Sequence, residues 1–444
     1  MAESPGAAMH ALAAKLFPIC RSITGNGLRE TLAIIKRDVL DDLVMHEVPS
    51  GTRCFDWVVP DEWNIREARL TGPRGDTLAS LSENNLHVVG YSVPIDETMP
   101  LARLKPHLFS IPEMPNAIPY VTSYYERRWG FCLRHSDLLR LPPDGEYHAF
   151  IDSTLEPGHL TYADLLIPGE SSHEVLISTY VCHPSMANNE LSGPVVAAFL
   201  ARWISGLSSR RLSYRFIFGP ETIGAIVYLS RNLDHLKRHT VAGFNLTCIG
   251  DDRGYSYVST RNGATLADRT VQHVMKHFAP GHRRYGWTER GSDERQYCWP
   301  GVDLPVVAMM RSKFGSYPEY HTSLDDLSVV TPTGLSGGLA VLQRCIEALE
   351  ANVVYRTPVL CEPQLGRRNL YRTVGFGSEG EAARMRFDIM SYSDGEHDLL
   401  QIADAIGRPV WDLSPYVMEL LAHGLLQAGQ GGAGHGRQEH GAAV

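Results

Sequence analysis

The sequence predicts an α/β protein with a mixed, mainly parallel sheet, a β-rich insert and a pair of helices near its C-terminus. Two observations support this fold class. From residue 175 to residue 351, short apolar runs alternate with segments of helical spacing, as in sheets whose parallel strands are joined by helices. The stretch from Cys54 to Ile151 is instead broken by prolines, rich in aromatic residues and without helical periodicity, which indicates a separate β-rich domain.

The elements follow in chain order from the spacing of apolar residues. Two helices are expected between Ala7 and Leu43, where leucine and isoleucine recur every three or four residues. The later apolar segments are predicted as the strands Val175–Val181, Tyr214–Phe218, Val241–Ile249 and Leu304–Met310 and the helices Pro194–Ile204 and Pro332–Ala351. These elements predict a core of residues 1–50 and 152–352 around an insert of residues 51–151.

Residues 362–428 are predicted to form a C-terminal domain. Its expected helices, Asp398–Ile406 and Ser414–Gln427, have helix-turn-helix spacing. From Leu413 to Gln427 the chain contains Glu419 and no Lys or Arg, so this helix is poorly suited to DNA. Residues 429–444 are rich in Gly and Ala and predict a disordered tail.

The composition excludes several classes of protein. A net charge of -9 and a pI near 6.1 argue against nucleic acid as the partner, because phosphate backbones are bound by basic surfaces. The eight cysteines include no Cys-x-x-Cys pair, which favours reduced thiols over a thiolate zinc site or a disulfide framework. No apolar run approaches the roughly 20 residues of a membrane-spanning helix, and no signal-peptide pattern is seen. We therefore expect a cytoplasmic protein without a membrane partner.

Four possible metal ligands lie just past the C-terminal ends of predicted strands, at the edge where open α/β sheets bind ligands. They are His183, Glu221, Asp251 and His321. Neutral imidazole and ionised carboxylate both suit Zn²⁺, so the pattern predicts a metal-dependent hydrolase. Simpler explanations exist for single residues: a hydrogen-bonded core histidine, a carboxylate at a helix N-terminus for Glu221, or a turn residue for Asp251.

Several motifs, in order, resemble those of a bacterial aminopeptidase-like domain family related to the two-zinc aminopeptidases. In the core they are Ser178–Ser185, Ala187–Gly193, Pro220–Gly224, Arg290–Glu294 and Tyr320–Ser323. Further matches in the insert and the C-terminal part are Cys54–Trp57, Tyr120–Tyr125, Trp129–Cys132 and Asp394–His397. The resemblance implies a zinc-aminopeptidase-like core, an inserted β-domain and a C-terminal winged-helix domain.

The resemblance also implies roles for the candidate residues. His183 and His321 would bind metal, and Asp251 is the best match for a later carboxylate ligand. The wider enzymes have two adjacent glutamates, one ligand and one base, where this chain has Glu221 followed by Thr222. Glu221 could therefore be either the base or a ligand.

Other carboxylates would act around the ligands. Asp325 and Asp326 would orient the histidine ring or cap the following segment, as carboxylates next to metal ligands do. Asp293 and Glu294 match the family's pocket, although a solvated acidic turn explains them equally well.

The chain departs from the family at the bridging position. The family has Asn-Asp-Asn before Leu-Ser-Gly, whereas this chain has Asn188-Asn189-Glu190. Two metal ions about 3.5–4 Å apart need anionic ligands, and Asn189 is neutral. We therefore expect one zinc ion, unless Glu190 replaces the bridge.

These observations predict a zinc-dependent, aminopeptidase-like amidohydrolase that forms a homo-oligomer and cleaves a peptide or a small aminoacyl conjugate. Glu221 would be the general base. Two alternatives stay open. Asn189 favours a metal-poor pseudoenzyme or small-molecule-binding protein, which metal content would reveal. A winged-helix regulator is disfavoured by the acidic composition, and a salt-dependent DNA-binding assay would test it.

Overall fold

The computed structural model describes residues 4–370 and 378–429. Its described residues fall into two compact units, one within 1–268 and 281–340 and the other within 269–280 and 341–444. None of the helices in the described ranges combines the length and apolar character needed to cross a membrane.

The helices begin where the sequence provides caps. In the first helix, Pro5 occupies the first turn and Ser4 accepts a hydrogen bond from the backbone N–H of Ala7. The helices are α1 (Pro5–Leu16), α2 (Asn26–Asp38), α3 (Leu101–Leu104), α4 (His135–Leu138), α5 (Ser192–Ser205), α6 (Ile223–His239), α7 (Leu266–Phe278), α8 (Glu294–Tyr297), α9 (Pro332–Ala351), α10 (Ser378–Tyr392), α11 (Leu399–Ile406) and α12 (Val410–Ala422).

The strands divide between a large sheet, the insert and the C-terminal unit. They are β1 (Val44–Pro49), β2 (Arg53–Cys54), β3 (Trp57–Val58), β4 (Glu62–Thr71), β5 (Thr77–Ser80), β6 (Ile95–Pro100), β7 (Leu108–Phe109), β8 (Phe131–Cys132), β9 (Glu146–Glu156), β10 (His159–Ile167), β11 (Glu174–Tyr180), β12 (Ser213–Gly219), β13 (Thr240–Leu246), β14 (Ser256–Val258), β15 (Arg283–Tyr285), β16 (Val306–Met310), β17 (Val354–Arg356), β18 (Asp394–Asp398) and β19 (Gln427–Ala428).

The large sheet has the order β1-β10-β12-β11-β13-β16-β14-β15. Its central strands β12, β11, β13 and β16 run parallel, whereas β1 pairs antiparallel to β10, β10 to β12 and β14 to β16, and β15 runs parallel to β14. Every residue of β11 and of β16 is buried, which explains their continuous apolar runs. Because the four central strands are parallel, the loops after them lie at one edge of the sheet.

The insert has its own antiparallel sheet, in the order β5-β4-β9-β6. Its inward side chains, including Leu70, Tyr147 and Ile151, form a separate apolar core. Glu62 at the start of β4 bonds the Arg29 guanidinium on α2 and accepts a hydrogen bond from the backbone N–H of His159 on β10 at 2.9 Å. The Glu62 carboxylate thus connects the start of β4 in the insert with α2 and β10 of the core.

The C-terminal unit contains helices α10 to α12 and a small antiparallel sheet, in the order β18-β17-β19. Its β17 starts at Val354, before the predicted domain boundary at residue 362. The predicted helix Ser414–Gln427 is displaced, because α12 begins after Pro409 and ends before Gly424, whose φ of 66° is left-handed. Apart from Gly429, the predicted tail lies outside the described residues.

Candidate metal centre

Four loops at the carboxyl edge of the large sheet supply the candidate site, and each contains a non-glycine residue with a left-handed backbone. These residues are Ser185 (φ 43°), Thr222 (φ 64°), Cys248 (φ 46°) and His321 (φ 57°). Such conformations cost on the order of 1–3 kcal/mol and cluster at functional sites. Backbone strain therefore marks the same loops as the sequence motifs.

The structure brings three of the predicted ligands together. His183 Nε2 lies 3.7 Å from Glu221 Oε2, and the ring centroids of His183 and His321 are 5.6 Å apart. Atoms bound at about 2.0 Å to one tetrahedral zinc are roughly 3.3 Å apart, and two ligating imidazoles are centred roughly 5 Å apart. The two imidazoles and the carboxylate thus lie near one another, although among the described residues the group whose ligand atoms all lie within 4.8 Å of one another is Cys182, His183 and Glu190.

The opposite edge of the His183 ring faces Glu190. His183 Nδ1 lies 2.9 Å from Glu190 Oε2, and the backbone N–H of Cys182 donates to Oε1 at 2.5 Å. Burial lowers the pKa of His183, but the hydrogen bond and charge of Glu190 outweigh burial and raise it. A carboxylate in this position fixes the ring orientation of a metal-ligating histidine and leaves Nε2 available.

Asp251 is fully engaged by other groups. Its oxygens accept hydrogen bonds from the backbone N–H of Arg253 at 2.8 Å, from the N–H and hydroxyl of Ser312 at 2.9 Å each, and from Asn188 Nδ2 at 3.0 Å. Within the described residues Asp251 forms no ion pair with either imidazole. This bonding suits a carboxylate that joins the loops after β13 and β16.

Asp325 supports the turn Ala187–Leu191 rather than the His321 ring. It accepts hydrogen bonds from the backbone N–H groups of Asn188 at 2.7 Å and Asn189 at 2.9 Å, and from the Tyr317 hydroxyl at 2.9 Å. Burial raises the pKa of Asp325 to about 6, although these hydrogen bonds oppose the rise. The neighbouring Asp326 caps a turn by accepting hydrogen bonds from Ser328.

Asn189 lies in a π-helical turn, Ala187–Leu191, that leads into α5. Such turns are frequent at functional sites. Its Nδ2 donates to the Tyr180 hydroxyl at 2.7 Å and lies 3.8 Å from Cys248 Sγ. The buried Oδ1 has no hydrogen-bond partner among the described residues. The expected bridging position thus contributes a polar oxygen but no charge.

Glu221 has a second carboxylate, Asp293, beside it. Enclosure raises the pKa of Glu221, whereas the positive charges of His183 and Arg295 oppose the rise. Burial and the charge of Glu221 raise the pKa of Asp293 well above its ordinary value, although its Oδ1 accepts a hydrogen bond from the Thr222 N–H at 2.7 Å. The charge of Glu221 therefore disfavours the ionisation of Asp293.

Glu294 forms hydrogen bonds within its own loop and with β13. Its Oε1 accepts hydrogen bonds from the backbone N–H groups of Gly291 at 2.8 Å and Ser292 at 3.2 Å, and its Oε2 lies 3.3 Å from Asn245 Nδ2. Glu294 therefore organises the loop before α8.

Sequence reasoning missed the contribution of Tyr120 from the insert. Its ring centroid lies 5.0 Å from that of His183 and 5.2 Å from that of His321, and its hydroxyl is 2.5 Å from the Tyr124 hydroxyl. The only available signal was that both tyrosines lie in a motif shared with the family. Burial raises the pKa of Cys182, next to His183, well above its ordinary value, which favours the protonated thiol.

Comparison with known proteins places this geometry among aminopeptidase-like folds. Residues 10–352 match the family model described as a domain of unknown function (DUF4910), and residues 353–428 match a winged helix-turn-helix model. A Clostridium acetobutylicum protein described as a candidate polysaccharide biosynthesis protein with an aminopeptidase-like domain is 44% identical over 400 residues, which cover 90% of this chain and 91% of that relative.

Solved structures agree with this assignment. The crystal structure of a candidate peptidase from Clostridium acetobutylicum aligns with a TM-score of 0.89 at 41% identity, over 95% of this chain and 96% of that one. A zinc aminopeptidase from Bacillus subtilis aligns with a TM-score of 0.53 at 14% identity, over 77% of this chain and 94% of that one. The second likeness shows the fold alone, and it confirms the predicted fold class.

Proposed function

The chain belongs to the family described as a domain of unknown function (DUF4910), and from that premise we propose that it is a zinc-dependent amidohydrolase of the aminopeptidase-like kind. The observation that carries the proposal is the approach of His183 Nε2 to within 3.7 Å of Glu221 Oε2, with His321 beside them. Two imidazoles and a carboxylate are a zinc ligand set that leaves one coordination position open for chemistry. The proposed substrate is a peptide or a small aminoacyl conjugate.

In this proposal the chain's own residues position the substrate and move the proton. A bound zinc ion would supply Lewis acidity toward the amide carbonyl and would lower the pKa of water towards neutrality. If Glu221 is not the third ligand, its raised pKa suits the role of a base that accepts a proton from water and passes it to the leaving amine. The ring of Tyr120 contacts both imidazoles, with its centroid 5.0 Å from that of His183 and 5.2 Å from that of His321.

A second candidate function is binding without catalysis. Asn189 favours it, because the neutral amide removes the bridging charge on which a two-metal mechanism depends. The relative's name, which refers to polysaccharide biosynthesis, supports including an amide of an amino sugar among the substrates and ligands tested.

The test is hydrolysis of L-aminoacyl 4-nitroanilides and of an N-acetylated hexosamine by protein loaded with zinc or treated with a chelator. We expect release of product from at least one substrate, loss of this activity on chelation, and loss of activity in His183→Ala. His148→Ala is the matched control, because this histidine of the insert pairs with Asp96 at 2.7 Å and belongs to a different sheet. Equal rates with and without zinc would reject the proposal, and zinc binding without hydrolysis would favour the binding function.

A further inference from the structure

The turn Ala187–Leu191 carries its carboxylate one residue later than the pattern that it resembles. Where the pattern that this motif resembles has Asn-Asp-Asn, this chain has Asn188-Asn189-Glu190, so its carboxylate is that of Glu190. The loop therefore keeps its charge while the position of that charge changes.

The new carboxylate points to the Nδ1 edge of His183, away from the Nε2 edge that meets Glu221. Glu190 Oε2 lies 2.9 Å from His183 Nδ1, and Oε1 accepts the Cys182 N–H at 2.5 Å. The Glu190 side chain has no solvent exposure. With both oxygens engaged at this edge, Glu190 is not free to act as the bridging ligand.

Arg21, from the segment between α1 and α2, compensates the buried charge of Glu190. Its Nε lies 3.6 Å from Glu190 Oε1 and donates to the backbone carbonyl of His183 at 3.0 Å, and its Nη1 donates to the carbonyl of Leu16 at 2.6 Å. Both side chains are completely buried. A buried charge pair is retained when its geometry and additional hydrogen bonds offset the cost of desolvation.

We propose that Glu190 and Arg21 are positioning residues that hold His183 in the orientation in which it binds one metal ion. Glu190 then orients a ligand of a one-metal centre and does not bridge two metal ions. This inference rests on the proposed zinc-dependent function and adds the number of ions and the residues that determine it. The orphan Oδ1 of Asn189 agrees with it, because a neutral amide oxygen at the former bridge offsets no charge between two cations.

The test is titration of the full-length, metal-free protein with zinc in competition with a chromophoric chelator. We expect one tight equivalent per chain, and Glu190→Gln should weaken zinc binding about 10- to 100-fold without changing the stoichiometry. Asn189→Asp/Glu190→Asn restores the family order and should bind a second equivalent.

Glu174→Gln is the matched control for general destabilisation. Glu174 is likewise a buried carboxylate, bonded to Arg215 at 2.6 Å on β12, but it lies at the amino end of β11. We expect its zinc affinity to equal that of the unmodified protein. If Glu190→Gln fails to fold because Arg21 is left unpaired, Arg21→Met/Glu190→Gln removes both charges, and circular dichroism verifies folding before the titration.

The outcomes separate the two proposals. No zinc binding by the unmodified protein would overturn the proposed function together with this inference. One equivalent bound with the same affinity in folded Glu190→Gln or in the double variant would overturn the positioning role alone. Two equivalents in the unmodified protein would overturn the one-metal centre and leave zinc dependence intact.

Discussion

Glu221 combines the two properties that the proposed chemistry requires of one residue. Its side chain is 22% exposed, so water can reach it, and burial raises its pKa, which favours the acceptance of a proton. Its 3.7 Å separation from His183 also allows it to be a ligand. The geometry alone is compatible with both roles that the sequence left open.

Substitution of Glu221 by Gln separates these roles. A general base would lose rate by about 10²- to 10⁴-fold with zinc retained, because the amide keeps the shape and loses the basicity. A ligand would instead lose zinc. Steady-state kinetics and the zinc content of the same preparation measure both effects. Full activity of Glu221→Gln would remove this residue from the mechanism.

At the residue scale, the sequence predicts the location of side chains that directly follow strand ends. It does not predict which side chains from distant segments of the chain join them. His183, Glu221 and His321 were predictable because parallel strands bring the loops at their carboxyl ends to one edge. The role of Arg21 was not predictable, since it meets His183 across 162 positions in sequence. The spacing of apolar residues along the chain does not predict such a contact.

At the scale of elements, long apolar runs were easier to predict than short strands. The run from Val175 predicts a strand because β11 is buried on both faces. The two-residue strands of the insert, β2, β3, β7 and β8, are too short to show alternation. Helix α6 was expected only as the helix whose N-terminus Glu221 would occupy, without predicted bounds.

The join between core and insert gives a prediction about stability. Burial would raise the pKa of Glu62, but hydrogen bonds from Arg29 and from the His159 N–H outweigh burial and lower the pKa to about 2. The ionised carboxylate therefore stabilises the fold above pH 4.5, and this stabilisation is lost as the pH falls through about 2.

Glu62→Gln should reduce the free energy of unfolding by about 2 kcal/mol at pH 7, because hydrogen bonds to a charged group are lost. The difference from the unmodified protein should shrink at pH 3. Urea unfolding at the two pH values measures it. The control is Glu67→Gln on the same strand, where the side chain is 57% exposed. An effect of Glu62→Gln that is equal at both pH values would contradict the assigned charge interaction.

At the scale of the whole molecule, the predicted α/β core, β-rich insert and winged-helix module are confirmed. The activity cannot be deduced from this fold as directly. A shared fold supplies the loops in which a site can form, but the chemistry depends on individual residues. Asn189 and Glu190 illustrate this, because one of these adjacent buried side chains is neutral and the other is a carboxylate that faces His183 Nδ1.

The C-terminal unit gives a prediction about solution behaviour. Within this unit, Arg269 on α7 pairs with Asp398 at 2.6 Å, and the buried His273 bonds Asp404 at 2.7 Å and accepts the Val410 N–H at 2.9 Å. Truncation after Glu362 removes these partners. We therefore expect lower solubility or a changed oligomer size, measured by light scattering beside the full-length chain. A truncated chain with unchanged mass, solubility and activity would contradict this role.

The central claim, a single zinc ion held at the carboxyl edge of the large sheet, is tested most directly by anomalous diffraction at the zinc absorption edge from crystals of the full-length protein grown with zinc. The account predicts one peak per chain, bonded to His183 Nε2 with Glu221 and His321 next to it, while Glu190 remains at His183 Nδ1. Two peaks bridged through Asn189 or Glu190, or no peak beside His183, would contradict it.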